Sequence, residues 1–360
     1  MNNQTNGTDT TTTSHFQWIS EDMRILFDII YIMIICVGLV GNVLVILAVT
    51  KVPSMKTVTN MFIGNLACAD LIVTVICCPL VLTHMLTYPD WGLGEGMCYF
   101  SNFCIHLSLS GSVLGLLAIS MDRYLAIAHP QKQWMTLRKV NVFIVVTWLV
   151  SIMLSVPSVL IRPDTSSLSR LSDVCLQVWR GSEETKRFEM IKALLFLIVF
   201  SLIAFFYYGI GRILWKRKIP GNQTSENQEA AQKARKKVVK LLLIVLFCFL
   251  GCWAPFMIYR LLKMVLPDGK FDPPEAVYTG TTVLAMTNSS MNPVLYALFN
   301  RNFRMAFRNI YRRFWNNQVL PLPEEFSVAR TFDGTRERRT RLTVLGNLVP
   351  RKISRIAPSK

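Results

Sequence analysis

The amino-acid sequence predicts an all-α membrane protein, a bundle of seven transmembrane helices followed by a short amphipathic eighth helix. Three observations support this fold class. First, 52% of the residues are hydrophobic and the mean hydropathy is +0.37, whereas soluble domains are about 45–50% apolar. Second, the apolar residues form long blocks without a period of two or about 3.6, which favours membrane helices over a water-facing core. Third, basic residues cluster at the ends of these blocks.

Seven apolar segments are each long enough to cross a bilayer, which takes about 20 helical residues. They cover residues 25–50, 58–86, 98–127, 140–161, 189–215, 238–266 and 275–299. The loops after the first, third and fifth segments contain basic residues, whereas the only charged residues in the loop after the second are the acids Asp90 and Glu95. The positive-inside rule therefore places the N-terminus outside the cell and the C-terminus in the cytosol of a plasma-membrane protein. This topology also explains the net charge of +17, so nucleic acid is not an expected partner.

The regions outside the bundle differ in composition. Asn3 and Asn6 begin glycosylation sequons in a polar extracellular N-terminus. After the last span, basic and apolar residues alternate at helical spacing, which indicates an amphipathic helix on the anionic inner leaflet. The predicted regions are the N-terminus 1–24, the bundle 25–299, the amphipathic helix 300–315 and a basic cytoplasmic tail 316–360.

Most of the nine cysteines lie inside apolar segments, where Cys behaves as a small hydrophobic residue. Cys98 and Cys175 instead lie in polar surroundings next to a span, and Cys104 is a turn further in. A single extracellular disulfide between Cys98 and Cys175 is the economical interpretation. No pair of C-x-x-C motifs has the spacing of a zinc site.

Polar side chains interrupt several apolar segments, and Asp70 in the second segment is the clearest case. An ionised carboxylate in mid-membrane costs about 3 kcal/mol or more, so Asp70 must face the interior of the bundle. Amide and hydroxyl groups on other segments are available as partners, and they include Asn42, Ser112, Asn288, Ser289 and Asn292. The group is either a buried hydrogen-bonded cluster or a site for a small cation with oxygen ligands.

Three further motifs mark the ends and middles of the segments. Asp122-Arg123-Tyr124 ends the third, Cys252-Trp253-x-Pro255 lies in the sixth, and Asn292-Pro293-x-x-Tyr296 lies in the seventh. Over residues 25–315 the chain resembles the rhodopsin-like G-protein-coupled receptors, and the other matching residues are Asn42, Leu66-Ala67-x-x-Asp70, Cys98, Trp148 and Cys175. Within that family, residues 57–66 and 91–94 look most like neuropeptide receptors of the RFamide, neuropeptide Y and orexin group.

The resemblance implies a role for each matching residue. Asp122 would hold Arg123 at rest, and Arg123 would contact a heterotrimeric G protein in the active state. The implied ligands of an allosteric sodium ion are Asp70, Ser112, Asn288, Ser289 and Asn292, and no other cofactor is expected. The implied coupling and switch residues are Asp122, Arg123, Tyr124, Tyr207, Phe249, Pro255, Pro293 and Tyr296. Arrestin, a receptor kinase and membrane lipids are the further partners that the resemblance implies.

The resemblance also bears on the ligand. Ile105 stands where amine receptors carry an aspartate, and Met286 stands where opsins carry the retinal lysine, which argues against both ligand classes. The outer ends of the spans carry charges of both signs, which suit a peptide ligand but equally suit a solvated rim. Lys263 stands where RFamide receptors carry an acid, which favours a ligand with an acidic residue or a free carboxylate. The candidate ligand-binding residues are Ile105, Leu109, Glu189, Trp253, Arg260, Lys263, Tyr278 and Thr282.

Three positions depart from the family pattern. Val199 replaces the usual proline of the fifth span, and Gln131 replaces a bulky apolar residue that docks into the G protein. Arg235 occupies the position where some members place an acid against Arg123, so appreciable basal signalling is a hypothesis. A peptide-activated receptor is therefore the main prediction. The alternatives within the family are a lipid-activated receptor, a constitutively active orphan receptor and a decoy that does not couple.

Two other classes of membrane protein fit the sequence less well. A transporter or channel typically has paired intramembrane charges, broken helices or inverted repeats, but Asp70 alone lies deep and no repeat is visible. An intramembrane hydrolase needs opposed carboxylates, a nucleophile–base pair or a metal cluster, and none of the four histidines forms H-E-x-x-H. The chain is therefore predicted not to be an enzyme.

Overall fold

The computed structural model describes residues 20–87, 93–132, 134–160, 183–216, 225–266, 270–271 and 273–316. Eight long helices follow one another in this part of the chain, with a short 3-10 helix (Pro53–Met55) after the first. They are α1 (Glu21–Lys51), α2 (Val58–Thr87), α3 (Gly94–Ala128), α4 (Leu137–Leu160), α5 (Glu183–Lys216), α6 (Ser225–Val265), α7 (Glu275–Phe299) and α8 (Arg301–Asn316).

The predicted fold class, a seven-helix membrane bundle with a short eighth helix, is confirmed. Helices α1 to α6 are long and apolar enough to cross a membrane. Helix α7 has 25 residues, enough for a crossing, but it is less apolar because its buried face carries Asn288, Ser289 and Asn292. Helix α6 begins at Ser225, well before the predicted residue 238, because its first turns are polar and a hydropathy pattern does not register them.

Hydroxyl side chains cap three of the helices at their N-termini. Ser20, Thr57 and Thr136 precede α1, α2 and α4, and each hydroxyl accepts a hydrogen bond from the backbone N–H three residues on, at 3.4, 3.3 and 3.4 Å. Each cap satisfies a backbone donor that the first helical turn leaves without a partner. These residues therefore set where three of the helices begin.

Among the six helices α1 to α6, α3 is the most enclosed and α5 the least. The most apolar stretch of α3 is 72% buried, because α3 packs against α2, α4 and α5. The corresponding stretch of α5 is only 11% buried, and its outward side carries exposed residues such as Leu194, Leu197 and Phe205. Helix α7 packs against α1, α2 and α6. The polar and charged residues of interest lie on the faces that α2, α3, α5, α6 and α7 turn towards one another.

Helix α1 approaches α2 and α7 closely at two glycines. A Cβ atom on Gly38 would lie 2.3 Å from Cγ2 of Thr74, and one on Gly41 would lie 2.5 Å from Cγ of Pro293. Small residues allow such backbone contact between membrane helices. The Asn42 amide then donates to the Ser289 carbonyl at 2.8 Å. This contact fixes the polar part of α7 against α1.

Helix α2 contains one wide turn, Val73–Cys77, in which the Cys78 N–H donates to the Val73 carbonyl five residues back. Pro79 follows directly and has no N–H for the regular helical bond. A π turn of this kind inserts an extra residue into a helix and is common next to functional sites. It changes which face of α2 the residues beyond Cys78 turn to the bundle.

The chain forms two units, Met1–Phe307 and Arg308–Lys360. Within the first, α8 begins with Phe303 stacked on Tyr296, with the ring centroids 5.2 Å apart, while Arg304 donates to the Leu298 carbonyl. Phe303 is buried and Arg304 is exposed, so the start of α8 has an apolar and a basic side. The described part of the second unit is the helical stretch 308–316. Attachment of α8 to the inner leaflet remains a prediction.

Candidate functional site

A charged cluster occupies the outer part of the bundle, where α3, α5 and α6 meet. The Glu189 carboxylate binds Lys192 on the next turn of α5, and its Oε1 lies 3.5 Å from Nη2 of Arg260 on α6. The Lys192 ammonium also lies 3.4 Å from each ring nitrogen of His106 on α3. The side chains of Glu189, Lys192 and Arg260 are only 10%, 12% and 14% exposed. We call these four residues the outer ion cluster.

Glu189 and Arg260 are among the ligand-binding residues predicted from the sequence, whereas Lys192 and His106 are not. A signal was present in the sequence, because Lys192 is a cation within an apolar span and lies three residues after an acid. Its orientation was not predictable without the position of α3. A buried Lys or Glu is rare unless paired, and the structure supplies that pairing between three helices.

Aromatic rings connect the outer ion cluster to the middle of the bundle. The Arg260 guanidinium lies 5.7 Å from the Phe256 ring, which meets the Trp253 ring edge to face at 6.1 Å. Trp253 stacks on Phe249 at 6.2 Å, and Phe249 lies 6.0 Å from Phe200 of α5. Pro255 interrupts the hydrogen bonding of α6 within this stretch. A change at Arg260 can therefore reach the centre of α6 through ring contacts.

The other candidate ligand-binding residues lie in several environments. Leu109 and Trp253 are buried, and Ile105 packs against the core formed by α1, α2, α3 and α7. The Thr282 hydroxyl donates to the Tyr278 carbonyl of its own helix at 2.8 Å, while the Tyr278 ring contacts Phe256 at 6.3 Å. Lys263 is half-buried. The structure thus brings Glu189, Arg260, Trp253 and Tyr278 into one connected surface.

A second polar group lies deeper in the bundle, around Asp70. The Asn292 amide donates to Oδ2 of Asp70 at 2.8 Å, and both side chains are buried. Ser112, Asn288 and Ser289 are also buried. Among the described residues, Oδ1 of Asp70 and Oδ1 of Asn288 have no hydrogen-bond partner. Buried acceptor oxygens without donors are costly, and a hard cation that takes oxygen ligands would satisfy them.

The Asp122-Arg123 motif lies at the inner end of α3. Oδ2 of Asp122 accepts hydrogen bonds from Nε and Nη2 of Arg123, at 3.0 and 2.6 Å. The same oxygen accepts a bond from the Thr59 hydroxyl of α2 at 3.0 Å. Asp122 is 4% exposed, so this bond to α2 is shielded from water. Thr59 is not among the residues predicted from the sequence, because a Thr near the start of a helix resembles a cap.

The other coupling residues lie between α3, α5, α6 and α7. The Tyr124 ring contacts the Phe206 ring at 5.5 Å and rests against Gly209, where a Cβ would lie 2.6 Å from Cε2 of Tyr124. Tyr207 packs on a buried cluster that contains Ile210 and residues of α3 and α6. Pro293 interrupts α7, and the Tyr296 hydroxyl is buried without a hydrogen-bond partner in the described part of the chain.

An apolar cavity of about 280 Å³ lies between α1 and α7 and is lined by residues such as Met33, Val37, Ser290 and Val294. The Ser290 hydroxyl donates to the Thr287 carbonyl of its own helix at 2.9 Å, so it presents no free donor to the cavity. None of the candidate ligand-binding residues lines this cavity. It is therefore separate from the outer ion cluster.

Several predicted features lie outside the described residues. They are the glycosylation sites Asn3 and Asn6, Cys175, and the side chains of Cys98 and Arg235. The Cys98–Cys175 disulfide, the glycosylation and the absence of an acid–Arg123 lock at position 235 therefore remain predictions. Val199 is described, and the contact of its neighbour Phe200 with Phe249 shows how α5 meets the centre of α6 without a proline.

Comparison with known proteins agrees with the fold and with these motifs. The family "7 transmembrane receptor (rhodopsin family)" matches residues 41–296, and the chain belongs to this family. It is therefore a multi-pass plasma-membrane protein whose end before α1 lies outside the cell, and the prediction that it is not an enzyme is confirmed.

The similar curated proteins are neuropeptide receptors, which confirms the predicted resemblance to neuropeptide receptors. The chain is 32% identical to the tachykinin-like peptides receptor 86C of Drosophila melanogaster, over 80% of this chain and 59% of the relative. It is 28% identical to the RYamide receptor of the same species, over 83% and 66%. It is 30% identical to the substance-P receptor of Mus musculus, over 85% and 75%. The chain thus covers less than two thirds of the length of the two Drosophila receptors.

Proposed function

We propose that this chain is a receptor that binds an extracellular peptide and activates a heterotrimeric G protein. The observation that carries the proposal is the continuous path of contacts from the outer ion cluster through Phe256 and Trp253 to Phe249 in the middle of α6. A ligand that contacts Arg260 would act directly on α6, the helix whose inner end would move on activation. The names of the relatives, which are receptors for peptides, support the same proposal.

A peptide suits the outer site better than a small amine does. The family's amine receptors need an acid on α3, and Ile105 is found there instead. The described side chains at the outer site include an acid, a lysine, an arginine and the aromatic rings of Tyr259 and Tyr278, whose centroids are 5.4 Å apart. Aromatic residues and Arg are typical of energetically important binding contacts.

The resting state would be held at the inner end by Asp122. Its carboxylate neutralises Arg123, so the guanidinium is not available to a G protein while the ion pair is intact. Pro255 gives α6 a weak point, because a proline removes one helical hydrogen bond. Outward movement of α6 about this point would open the inner end and allow Arg123 to turn towards the partner. Arrestin and a receptor kinase would bind the same cytoplasmic side.

The group around Asp70 would hold a sodium ion in the resting state. Oδ1 of Asp70 and Oδ1 of Asn288 have no hydrogen-bond partner among the described residues, and such oxygens fit a hard cation with oxygen ligands. The other three predicted ligands, Ser112, Ser289 and Asn292, are buried as well. The ion would supply positive charge that stabilises the buried carboxylate. Asn292 would hold the carboxylate in place through its 2.8 Å bond, which also ties α7 to α2.

Expression in cells with a promiscuous G protein tests the proposed function directly. A synthetic peptide library would be screened by calcium release, with the Arg123→Ala variant at matched surface expression as the control. We expect at least one peptide to raise calcium in cells with the wild-type chain and to have no effect in cells with the variant. Absence of any peptide response at full surface expression would contradict the proposal and would favour a decoy or a lipid-activated receptor.

A further inference from the structure

The outer ion cluster contains more cationic than anionic side chains among the described residues. Lys192 and Arg260 both contact the carboxylate of Glu189, and both contacts go to the same oxygen, Oε1. The two cations belong to different helices, α5 and α6, and His106 of α3 lies against Lys192. One carboxylate of the receptor therefore holds together charges from two helices that must move relative to each other if α6 moves.

The contacts of the two cations with Glu189 differ in strength. Lys192 is in close contact with Glu189 and lies three residues from it on the same helix. The Arg260 contact spans two helices, and Nη2 of Arg260 lies 3.5 Å from Oε1 of Glu189, whereas charge-assisted hydrogen bonds are about 2.7–2.9 Å. A guanidinium can bind a carboxylate through two parallel N–H bonds. The contact between Glu189 and Arg260 is thus longer than a charge-assisted hydrogen bond, and a carboxylate that approaches Arg260 more closely would bind it more strongly than Glu189 does.

Burial makes this cluster selective for charge. All three ionised side chains are at most 14% exposed, so water screens their interactions much less than at a surface. A ligand group that leaves a buried charge without its partner is rejected strongly, and a group that pairs with it is favoured. The outer ion cluster should therefore bind a ligand carboxylate and a neutral amide of the same size with different affinities.

We propose that Glu189 acts as a built-in substitute for a ligand carboxylate, and that a carboxylate of the peptide ligand replaces it on Arg260. Lys192 then keeps Glu189 within α5 or shares the incoming carboxylate. This inference rests on the proposed function and names the ligand chemistry that the site selects. The exchange moves Arg260, and Arg260 lies over Phe256, so the change reaches Trp253 through the ring contacts.

Matched peptides test the inference. A hexapeptide library would be prepared in two forms, with a free C-terminal carboxylate and with a C-terminal amide, and active sequences with Asp or Glu would be remade with Asn or Gln. Calcium release would be measured for the wild-type chain and for Arg260→Gln, Lys192→Gln and Glu189→Gln. The ratio of EC50 values for the carboxylate and amide forms is taken within one cell line, so it does not depend on expression.

In the wild-type chain we expect the carboxylate form to be about tenfold or more potent than its amide counterpart, from the usual strength of a hydrogen bond to a charged group. Arg260→Gln and Lys192→Gln should reduce this ratio towards one. Glu189→Gln should increase the potency of the carboxylate form, because the internal competitor is gone. Arg187→Gln is the matched control, since Arg187 is an exposed cation on the same end of α5, and it should preserve the ratio.

The possible results separate the two proposals. Peptides that activate the receptor equally as carboxylate and amide would overturn the inference and leave the peptide receptor in place. A preference for the carboxylate form that persists in both Arg260→Gln and Lys192→Gln would also overturn the inference, because the ligand carboxylate would then bind at another site. Lys192→Arg distinguishes loss of the charge from a folding defect, because it keeps the positive charge and should retain at least part of the preference for the carboxylate form. No response to any peptide would overturn both proposals.

Discussion

Replacement of Gly38 by alanine should destabilise the bundle through one identifiable atom contact. The new Cβ would lie 2.3 Å from Cγ2 of Thr74, while carbon atoms in contact normally stay about 3.5–4.0 Å apart. Thr74 has no easy way to move, because it is fully buried and its hydroxyl donates to the Asp70 carbonyl at 3.1 Å. Its β-branched side chain also has few rotamers available in a helix.

Two opposing contributions set the size of the effect. Overpacking of a close contact costs about 1–3 kcal/mol, and an alanine in place of a helical glycine recovers about 1 kcal/mol. Because the contact would be 2.3 Å and Thr74 is held in place, the steric cost should lie in the upper part of that range, about 2–3 kcal/mol. The net loss is then about 1–2 kcal/mol, which corresponds to a fall in melting temperature of roughly 2–8 °C for a domain of about this size. Thermal unfolding of the purified receptor in one detergent would measure it.

The partner atom can be removed separately. Thr74→Ser deletes Cγ2 and retains the hydroxyl, so the next atoms met by the alanine would be Cβ of residue 74 at 3.3 Å and Cβ of Ser290 at 3.7 Å. The double variant should therefore recover most of the lost stability, with a coupling energy of about 1 kcal/mol or more. Gly251→Ala is the control, since nothing lies within 4 Å of its Cβ, and it should not lower the melting temperature. A Gly38→Ala variant as stable as Gly251→Ala, or one that Thr74→Ser does not restore, would refute the steric argument.

Three further predictions concern the polar sites. Sodium in place of choline should raise the melting temperature of the wild-type chain, and Asp70→Asn should abolish the difference; an equal response in both would exclude Asp70 as a ligand of the ion. Thr59→Val removes one hydrogen bond to Asp122, worth about 1 kcal/mol, and should therefore increase agonist-free signalling several-fold. The control is Thr50→Val, because the Thr50 hydroxyl donates only within α1, and this variant should not increase signalling. Agonist-free signalling of the wild-type chain should exceed that of an empty vector, and Arg235→Glu should lower it; a wild-type chain that is silent without agonist would remove this hypothesis.

The sequence predicts the spans well because span length and hydropathy are properties of consecutive residues. It fails at the beginning of α6, where Ser225 and the following polar residues are helical but resemble a loop in composition. Helix α5 likewise begins at Glu183, before the predicted residue 189. The ends of helices outside an apolar segment depend on backbone hydrogen bonds, and the hydropathy of the residues does not report these bonds.

The candidate sites divide in a similar way. Motif residues such as Asp70 and Asp122 can be recognised because an ionised side chain in an apolar segment needs a partner. Lys192, His106 and Thr59 could not be placed from the sequence, because their contacts join helices that are far apart in the chain. Which face of α5 turns towards α3 is decided by packing among three helices. A single-helix pattern cannot reveal that choice.

The unequal burial of α3 and α5 has a consequence for how this chain can change over evolutionary time. Lipid tails contact the outward side of α5 without shape-specific packing, so exchange of one aliphatic residue for another at Leu194 or Leu197 should be nearly neutral. A comparable exchange on α3 meets neighbours on three sides. Sequence drift should therefore accumulate on one side of α5, while the inward positions of Glu189 and Lys192 and most of α3 change slowly. A stabilised variant for structural work is best sought among the enclosed positions of α3, where each added contact has a fixed partner.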